Sequence, residues 1–161
     1  MRIPTGFLMG LLLGTAISTT FAQGNRLPGM DGVNHAMLYV ENMDDAKKFF
    51  IEKFGFSEAF TNRDAQGKPT LTYMQASRNT FIELQPAGEG RPVGINHVGL
   101  QVEDIKATVA ALRQRGLEVQ DPRTSSTNSM ITNVAGPGGV RFEISELTPT
   151  SLQRKAVEGW K

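Results

Sequence analysis

The sequence predicts an α+β fold built from two tandem βαβββ modules, at residues 33–85 and 95–146. The first observation is an internal repeat, since residues 32–41 and 94–103 are identical at six of ten positions. Such repetition sets the architecture of a chain. The second observation is that each repeat is followed by a helix-period segment that ends in glycine, and then by strand-like segments separated by turn residues. A chain of 161 residues suits one domain of this kind.

The first module begins with a strand and continues into a helix whose ends are marked by the sequence. Asn42 is a favourable N-cap and Gly55 a favourable C-terminal stop. Between them, Ala46, Phe49, Phe50 and Phe54 form an apolar stripe at helical spacing. The predicted elements are a strand at 33–40, a helix at 43–54 and strands at 57–61, 70–75 and 80–85.

The second module repeats that order after a Gly/Pro-rich linker at 86–92. Gly116 closes its helix, as Gly55 closes the first. The predicted elements are a strand at 95–102, a helix at 105–114 and strands near 117–119, 129–134 and 140–145. A short C-terminal helix is expected within the tail at 147–161.

The N-terminus has the pattern of a secretory signal peptide at residues 1–22. A charged start precedes an apolar run at 7–17, and small residues precede the expected cleavage site after Ala22. The run is shorter than the roughly 20 residues of a spanning helix, although an uncleaved membrane anchor is the alternative. Residues 23–32 read as a flexible lead-in. We therefore expect a secreted or periplasmic protein that has no contact with the membrane after cleavage.

Composition excludes several kinds of chemistry. The chain has no cysteine, so disulfides and thiol catalysis are impossible and any metal must be held by nitrogen and oxygen. A formal net charge of +1 without basic runs gives no electrostatic basis for binding nucleic acid. A small-molecule partner is the expectation that remains.

The only two histidines of the chain, His35 and His97, occupy equivalent positions in the two repeats. Because side chains alternate along a strand, each histidine points away from the apolar face that packs under the helices. Strict alternation places Asn34 on the opposite face from His35. Two equivalent imidazoles on the same side of a duplicated fold indicate a shared site.

A glutamate in the last strand of each module follows the same logic. Glu83 and Glu143 stand between apolar residues that point the other way, so both carboxylates face the side of the histidines. If the modules are related by a pseudo-twofold axis, His35, Glu83, His97 and Glu143 converge. This set suits one divalent Zn, Ni, Co, Mn or Fe ion, and a glutamate that can leave the metal could act as a base.

At these residues the chain resembles the vicinal oxygen chelate superfamily, which includes glyoxalase I, bleomycin-resistance proteins and extradiol dioxygenases. The resemblance rests on the paired modules, the Asn-His openings, and the Ile-Glu-Leu and Phe-Glu-Ile strand endings. It implies an open, eight-stranded, cup-like barrel with a metal at its floor, held by His35, Glu83, His97 and Glu143. Dimers are common in this superfamily, so a homodimer is possible, with the site formed within one chain or across two.

The ligand set is most similar to that of glyoxalase I, which implies a lyase or isomerase that moves a proton on a small oxygenated molecule. Glu143 or Glu83 would then be the catalytic base. Tyr39, which stands where bacterial glyoxalase I has an arginine, is a candidate substrate-binding residue. The other substrate-binding candidates are Tyr73, Gln101 and Arg141. Arg141 could pair with an anionic substrate group or lie at the solvent-exposed rim.

Two other functions are open. In an extradiol-type dioxygenase, His35, His97 and Glu143 would form an iron triad. That chemistry uses a further histidine as acid and base, and the chain has none left. A non-catalytic protein that binds a small ligand in the cup, as bleomycin-resistance proteins do, is the other alternative, although such proteins typically lack the metal ligands.

Overall fold

A computed structural model describes residues 26–161, so the predicted signal peptide at 1–22 lies outside the described residues. The predicted α+β fold of two βαβββ modules is confirmed. The elements are β1 (Met30–Val40), α1 (Met43–Phe54), β2 (Ser57–Arg63), β3 (Pro69–Ser77), β4 (Thr80–Pro86), β5 (Gly94–Val102), α2 (Ile105–Gln114), β6 (Arg123–Thr124), β7 (Met130–Ala135), β8 (Arg141–Glu146) and α3 (Leu152–Glu158). None of these helices is long and apolar enough to cross a bilayer.

All eight strands belong to one sheet, in the order β2-β3-β4-β1-β5-β8-β7-β6. Each module contributes a parallel pair, β1 with β4 and β5 with β8, and the modules join through antiparallel β1 and β5. The two halves are therefore arranged about a pseudo-twofold axis. The sheet is strongly curved, which brings its edge strand β2 close to the segment after the other edge strand, β6. Asn62 Nδ2 of β2 donates a hydrogen bond to the carbonyl of Ser126 at 3.1 Å. Within residues 26–161 no strand pair joins the outer edges, so the cup is open.

Helix α2 packs firmly on the outer face of the second module. It begins after Asp104, whose side chain accepts a hydrogen bond from the backbone N–H of Ala107. Three of its apolar side chains are buried against strand residues of the same module. The buried cluster comprises Val102, Ile105, Val109, Leu112, Val119, Val134 and Ile144. The burial of this apolar surface stabilises the second half of the fold.

Helix α1 differs, although its bounds and caps are as predicted. Asn42 accepts hydrogen bonds from two backbone N–H groups, and Gly55 adopts the left-handed conformation with φ of 70°. The predicted core stripe is only partly correct, because Phe49 and Phe54 are 50% and 59% exposed. Their rings lie 5.4 Å apart within a cluster of phenylalanines on the protein surface. These aromatic side chains thus contact one another at the surface, and α1 contains no fully buried residue.

The C-terminal helix α3 lies on the inner side of the cup, over the first module. Ala156 and Val157 pack against Leu71, Tyr73 and Phe81. Helix α3 therefore covers the first half of the cup floor, and the second half has no equivalent cover within residues 26–161.

The structure corrects two boundaries. The strand predicted near 117–119 is absent; the outer strand of the second module is β6, at Arg123–Thr124. Leu117 and Val119 instead pack on the α2 core, and Arg113 donates two hydrogen bonds to the carbonyl of Val119. The segment predicted as a flexible lead-in at 23–32 overlaps β1, which begins at Met30.

Candidate metal centre

Strand pairing at the centre of the sheet aligns residues of both modules in two adjacent rows. Strands β4, β1, β5 and β8 lie side by side. The first row is Glu83, Met37, His97 and Arg141, and the second row is Phe81, His35, Gly99 and Glu143. Each row thus carries the histidine of one module and the glutamate of the other.

The four predicted ligands converge around the Nε2 atom of His35. It lies 3.0 Å from His97 Nε2, 3.5 Å from Glu83 Oε2 and 3.7 Å from Glu143 Oε1. His97 Nε2 lies 3.9 Å from the same Glu83 oxygen. The site is formed within one chain, and His35, Glu83 and His97 alone already constitute a group that could hold a metal ion.

The asparagine before each histidine orients the imidazole, which the sequence analysis missed. The β1–β5 register shifts between Val33 and His35, where Asn34 stands as an extra residue. Such a bulge re-aims a side chain. Asn34 Oδ1 consequently lies 3.0 Å from His35 Nδ1, and Asn96 Oδ1 lies 3.0 Å from His97 Nδ1. The expectation that Asn34 faces away from its histidine is therefore wrong, although the repeated Asn-His pair was the signal that could have found this role.

Gly99 makes room for the His35 ring. A Cβ atom at position 99 would lie 2.0 Å from the His35 Cε1 atom, much closer than real Cβ contacts. The pairing of His35 with Gly99 across β1 and β5 explains this close approach. At the equivalent position of the first module the chain has Met37, which is buried beside His97.

The donor set fits a divalent cation. Metal ligands lie about 2.0–2.2 Å from zinc, so neighbouring donor atoms of one site are about 3–3.6 Å apart, close to the spacings around His35. When each histidine donates its Nδ1 proton to an asparagine, both Nε2 atoms present lone pairs to the same point. Burial and the neighbouring His97 lower the pKa of His35 to about 3, and burial and Arg141 lower the pKa of His97 to about 4. Both imidazoles are therefore neutral near pH 7, as metal binding requires.

The two glutamates have different surroundings. Glu83 is buried and accepts hydrogen bonds from Tyr73 Oη at 2.8 Å and Gln85 Nε2 at 2.7 Å. Burial raises its pKa, and these two hydrogen bonds oppose the change. Burial and the nearby Glu83 raise the pKa of Glu143 to about 7, opposed by Arg141 and Arg123. Glu143 is more open, with 14% of its side chain exposed.

Three of the four predicted substrate-binding residues line a polar cavity of about 240 Å³ beside the four ligands. They are Tyr39, Tyr73 and Arg141. Tyr73 is 2% exposed and donates to Glu83, so it also holds a ligand in place. Arg123 lines the same cavity and was not singled out from the sequence.

Gln101 lies elsewhere. It is not among the residues that line this cavity, and its amide bonds to Asn34 and Asp31 instead. The side-chain alternation of β5 placed it with His97, but Gln101 pairs with Gly32 and Ser145, four residues along the strand from His97 and beyond the two ligand rows.

Arg141 meets the second histidine. Its guanidinium contacts Asn96 Oδ1 and lies 2.8 Å from His97 Nδ1. The His97 Nδ1 atom cannot both donate to Asn96 and accept from Arg141. Metal binding through His97 Nε2 requires the first arrangement, which the site allows because the carbonyl oxygen of Asn96 has two lone pairs and can accept from both groups.

A duplicated βαβββ module, one open sheet and paired His and Glu ligands define a class of cup-shaped proteins. Residues 32–144 match the family model described as Glyoxalase/Bleomycin resistance protein/Dioxygenase superfamily. The chain belongs to this superfamily, as the resemblance predicted.

Solved structures share the fold. The chain is 21% identical to methylmalonyl-CoA epimerase from Mycobacterium tuberculosis, with a TM-score of 0.62 over 77% of this chain and 93% of that chain. A variant of methylmalonyl-CoA epimerase from Streptomyces coelicolor, in complex with 2-nitronate-propionyl-CoA, gives 20% identity and a TM-score of 0.61 over 76% and 98%. A hypothetical protein from Bacillus halodurans C-125 gives 18% identity and a TM-score of 0.60 over 74% and 96%. No curated protein sequence matches significantly.

Proposed function

We propose that this protein is a metal-dependent, glyoxalase-like lyase or isomerase that moves a proton on a small oxygenated molecule. The observation that carries the proposal is the convergence of two neutral imidazoles and two carboxylates on one point beside a polar cavity. His35, His97, Glu83 and Glu143 would hold one divalent ion of zinc, nickel, cobalt, manganese or iron. When bound, such an ion polarises a substrate oxygen and makes a neighbouring C–H bond more acidic.

Glu143 is our candidate for the catalytic base, and geometry is the reason. Hydrogen bonds from Tyr73 and Gln85 hold the carboxylate of Glu83 in place. Within residues 26–161 no side chain donates a comparable hydrogen bond to Glu143, which lines the cavity. A carboxylate free to turn toward a substrate can take a proton from carbon and return it.

The proposed reaction removes a proton from the substrate and returns it to the same substrate molecule. Glu143 takes the proton of a C–H bond next to a carbonyl group, and the electron pair of that bond moves toward the carbonyl. The same carboxyl group then returns the proton to the substrate, at the same or the adjacent carbon. No external oxidant or reductant is consumed, and the carboxylate is regenerated.

The cavity favours a small substrate that carries negative charge. Its volume of about 240 Å³ is below the roughly 300–1,000 Å³ of drug-sized pockets. Arg141 and Arg123 both line it, and guanidinium groups bind carboxylates and phosphates well. The epimerases that share the fold offer an example of an isomerase on this scaffold. Tyr39 and Tyr73 would shape the remaining wall.

We also propose that the mature protein is secreted or periplasmic, from the signal-peptide pattern of residues 1–22. A homodimer, a common state in the superfamily, completes the proposal. Fractionation and light scattering of the natural protein would test these two points separately from the chemistry.

Metal analysis of the purified protein, followed by proton exchange in D₂O, tests the main proposal. We expect one divalent ion per chain and deuterium incorporation next to a carbonyl in hemithioacetals or small 2-oxo and malonyl-type acids. His35→Ala should abolish both. A well-folded protein that binds no metal would refute the proposal and favour a ligand-binding protein. Bound iron with oxygen uptake on catechols would instead indicate a dioxygenase.

A further inference from the structure

A chain of hydrogen-bonded side chains leads from the surface to His35, and the proposed reaction makes no use of it. Asp31 Oδ2 accepts from Gln101 Nε2 at 2.7 Å, and Gln101 Oε1 accepts from Asn34 Nδ2 at 3.0 Å. Asn34 Oδ1 then lies 3.0 Å from His35 Nδ1. We call these three residues, Asp31, Gln101 and Asn34, the Asp31 relay. Its members line a surface cavity of about 260 Å³, separate from the cavity beside Glu143.

The relay has a fixed hydrogen-bond polarity. An ionised carboxylate only accepts hydrogen bonds, so Asp31 attracts the amide nitrogen of Gln101 and leaves its carbonyl oxygen facing Asn34. That oxygen in turn attracts the amide nitrogen of Asn34. The second proton of the Asn34 nitrogen goes to the backbone carbonyl of Asn79, at 3.2 Å. Both amides therefore have one favourable orientation.

This polarity determines which nitrogen of His35 carries the proton. The carbonyl oxygen of Asn34 faces Nδ1, so the proton resides on Nδ1 and the lone pair on Nε2. Nε2 is the atom that faces His97, Glu83 and Glu143. In metal sites, a hydrogen bond to the second ring nitrogen commonly fixes the tautomer of a histidine ligand in this way.

The second histidine has no such relay within residues 26–161. Asn96 meets the guanidinium of Arg141, which only donates hydrogen bonds and thus orients the carbonyl oxygen of Asn96 directly. The Asp31 relay is therefore a feature of His35 alone, which makes His97 an internal reference in the same molecule.

We infer that Asp31 and Gln101 are positioning residues, which act through Asn34 to keep the proton of His35 on Nδ1 and its Nε2 free to bind a metal. The role in metal binding rests on the proposed function, whereas the effect on the tautomer does not. The inference also gives a role to Gln101, which does not line the substrate cavity.

Long-range ¹H–¹⁵N correlation spectra read the tautomer of each imidazole directly. The chain has only two histidines, so a tag-free, ¹⁵N-labelled sample of the full chain shows two ring systems. We expect the His35 ring to carry its proton on Nδ1 in the wild type at neutral pH without added metal, with its Nε2 free to accept from His97 Nε2 at 3.0 Å. Binding of Zn²⁺ or Co²⁺ is measured in parallel by competition with a chelator.

Gln101→Leu breaks the relay, and Gln101→Glu keeps an acceptor for Asn34. We expect a mixture of His35 tautomers and about 10–100-fold weaker metal binding in Gln101→Leu. Gln101→Glu should retain the His35 tautomer, and Asp31→Asn should show a smaller shift than Gln101→Leu. Gln66→Leu, in the exposed β2–β3 turn, is the matched control. The His97 signals should stay unchanged in every variant.

An unchanged His35 tautomer in Gln101→Leu, with unchanged metal affinity, overturns the inference. If Gln101→Leu does not fold, Asp31→Leu decides, because it removes the acceptor of the Gln101 amide and an unchanged His35 tautomer in that variant also contradicts the inference. A wild type that binds no metal refutes the proposed function while the tautomer still tests the relay, so the two failures are distinguishable.

Discussion

The two central rows of the sheet each carry one histidine and one glutamate of the candidate site, but the residues around these side chains differ between the rows. In one row Met37 stands between Glu83 and His97, and in the other Gly99 stands between His35 and Glu143. Both glutamates line the cavity, but Glu83 accepts hydrogen bonds from Tyr73 and Gln85, whereas Glu143 has 14% of its side chain exposed. The two histidines also differ. His35 is 1% exposed and does not line the cavity, whereas His97 does.

Three of the four candidate ligands, Glu83, His97 and Glu143, line the cavity, and His35 lies outside its lining. Glu83 lies toward the half of the cup covered by α3, where Tyr73 and Gln85 donate hydrogen bonds to it. His97 and Glu143 lie on the half with Arg141, and Glu143 is the more exposed of the two carboxylates. The pseudo-symmetric set of side chains thus has asymmetric surroundings.

The largest expected effect comes from comparing the two glutamates. Glu143→Gln should lower the rate of proton transfer by about 10²–10⁴-fold, because the amide cannot accept the proton. The metal content of this variant should fall by a smaller factor than the rate, since the other three candidate ligands remain. Glu83→Gln should act chiefly on metal affinity, because it leaves Tyr73 and Gln85 without their charged acceptor. Single-turnover kinetics at saturating metal separates the two effects.

The opposite pattern would reverse the assignment. If Glu83→Gln abolishes turnover at full metal occupancy while Glu143→Gln retains it, then Glu83 is the base. In that case the hydrogen bond from Tyr73 would have a role in proton transfer.

Much of the fold could be predicted because it rests on local signals. Asn42 and Gly55 mark the ends of α1 in the sequence, and both act as caps in the structure. The strand predicted at 117–119 failed for a non-local reason. Leu117 and Val119 have strand-like character, but their burial against α2 competes with strand pairing, and the tertiary contact wins.

The convergence of the four candidate ligands could be predicted from the sequence, and the residues that support them could not. The repeat identified His35, His97, Glu83 and Glu143, because equivalent positions reinforce one another. The role of Asn34 depends on a bulge, which strict alternation cannot foresee. Gln101 was assigned to the wrong cavity because alternation gives the face of a side chain and not its distance along the strand from the site. The contact of Gly99 with His35 requires knowledge of which strands pair.

The two helices offer the next comparison. Ile105→Ala in α2 should cost about 2–5 kcal/mol in the free energy of unfolding, because Ile105 is fully buried. Phe54→Ala in α1 should cost less than about 1 kcal/mol, since most of that ring is exposed. Urea denaturation followed by circular dichroism measures both. A large loss for Phe54→Ala would mean that the surface aromatic cluster stabilises the first module as the α2 core stabilises the second.

The space that Gly99 leaves for the His35 ring, where the other row has Met37, can be tested by adding a single methyl group. Gly99→Ala places a Cβ atom on the His35 ring, so the ring must move away from the other ligands. We expect about 10–100-fold weaker metal binding, of the size seen when ligand-orienting groups are lost. Gly88→Ala is the matched control, since its Cβ would meet only Arg91 Nη2 at 3.7 Å. Equal metal affinity in the two variants would show that His35 is not needed at its present position.

Arg141 offers the smallest and most specific effect. It lies at the rim, contacts Asn96 and His97, and lines the cavity. Arg141→Gln should raise KM for an anionic substrate up to about fivefold with little change in kcat, because an exposed ion pair contributes roughly 1 kcal/mol to binding in ground and transition states alike. Arg78→Gln, in the exposed β3–β4 turn, is the control. A neutral substrate should show no change in KM. If kcat falls instead for both substrates, Arg141 acts through His97 as a positioning residue. Each histidine would then depend on polar residues that contact its Nδ1 side, His35 on the Asp31 relay and His97 on Asn96 and Arg141.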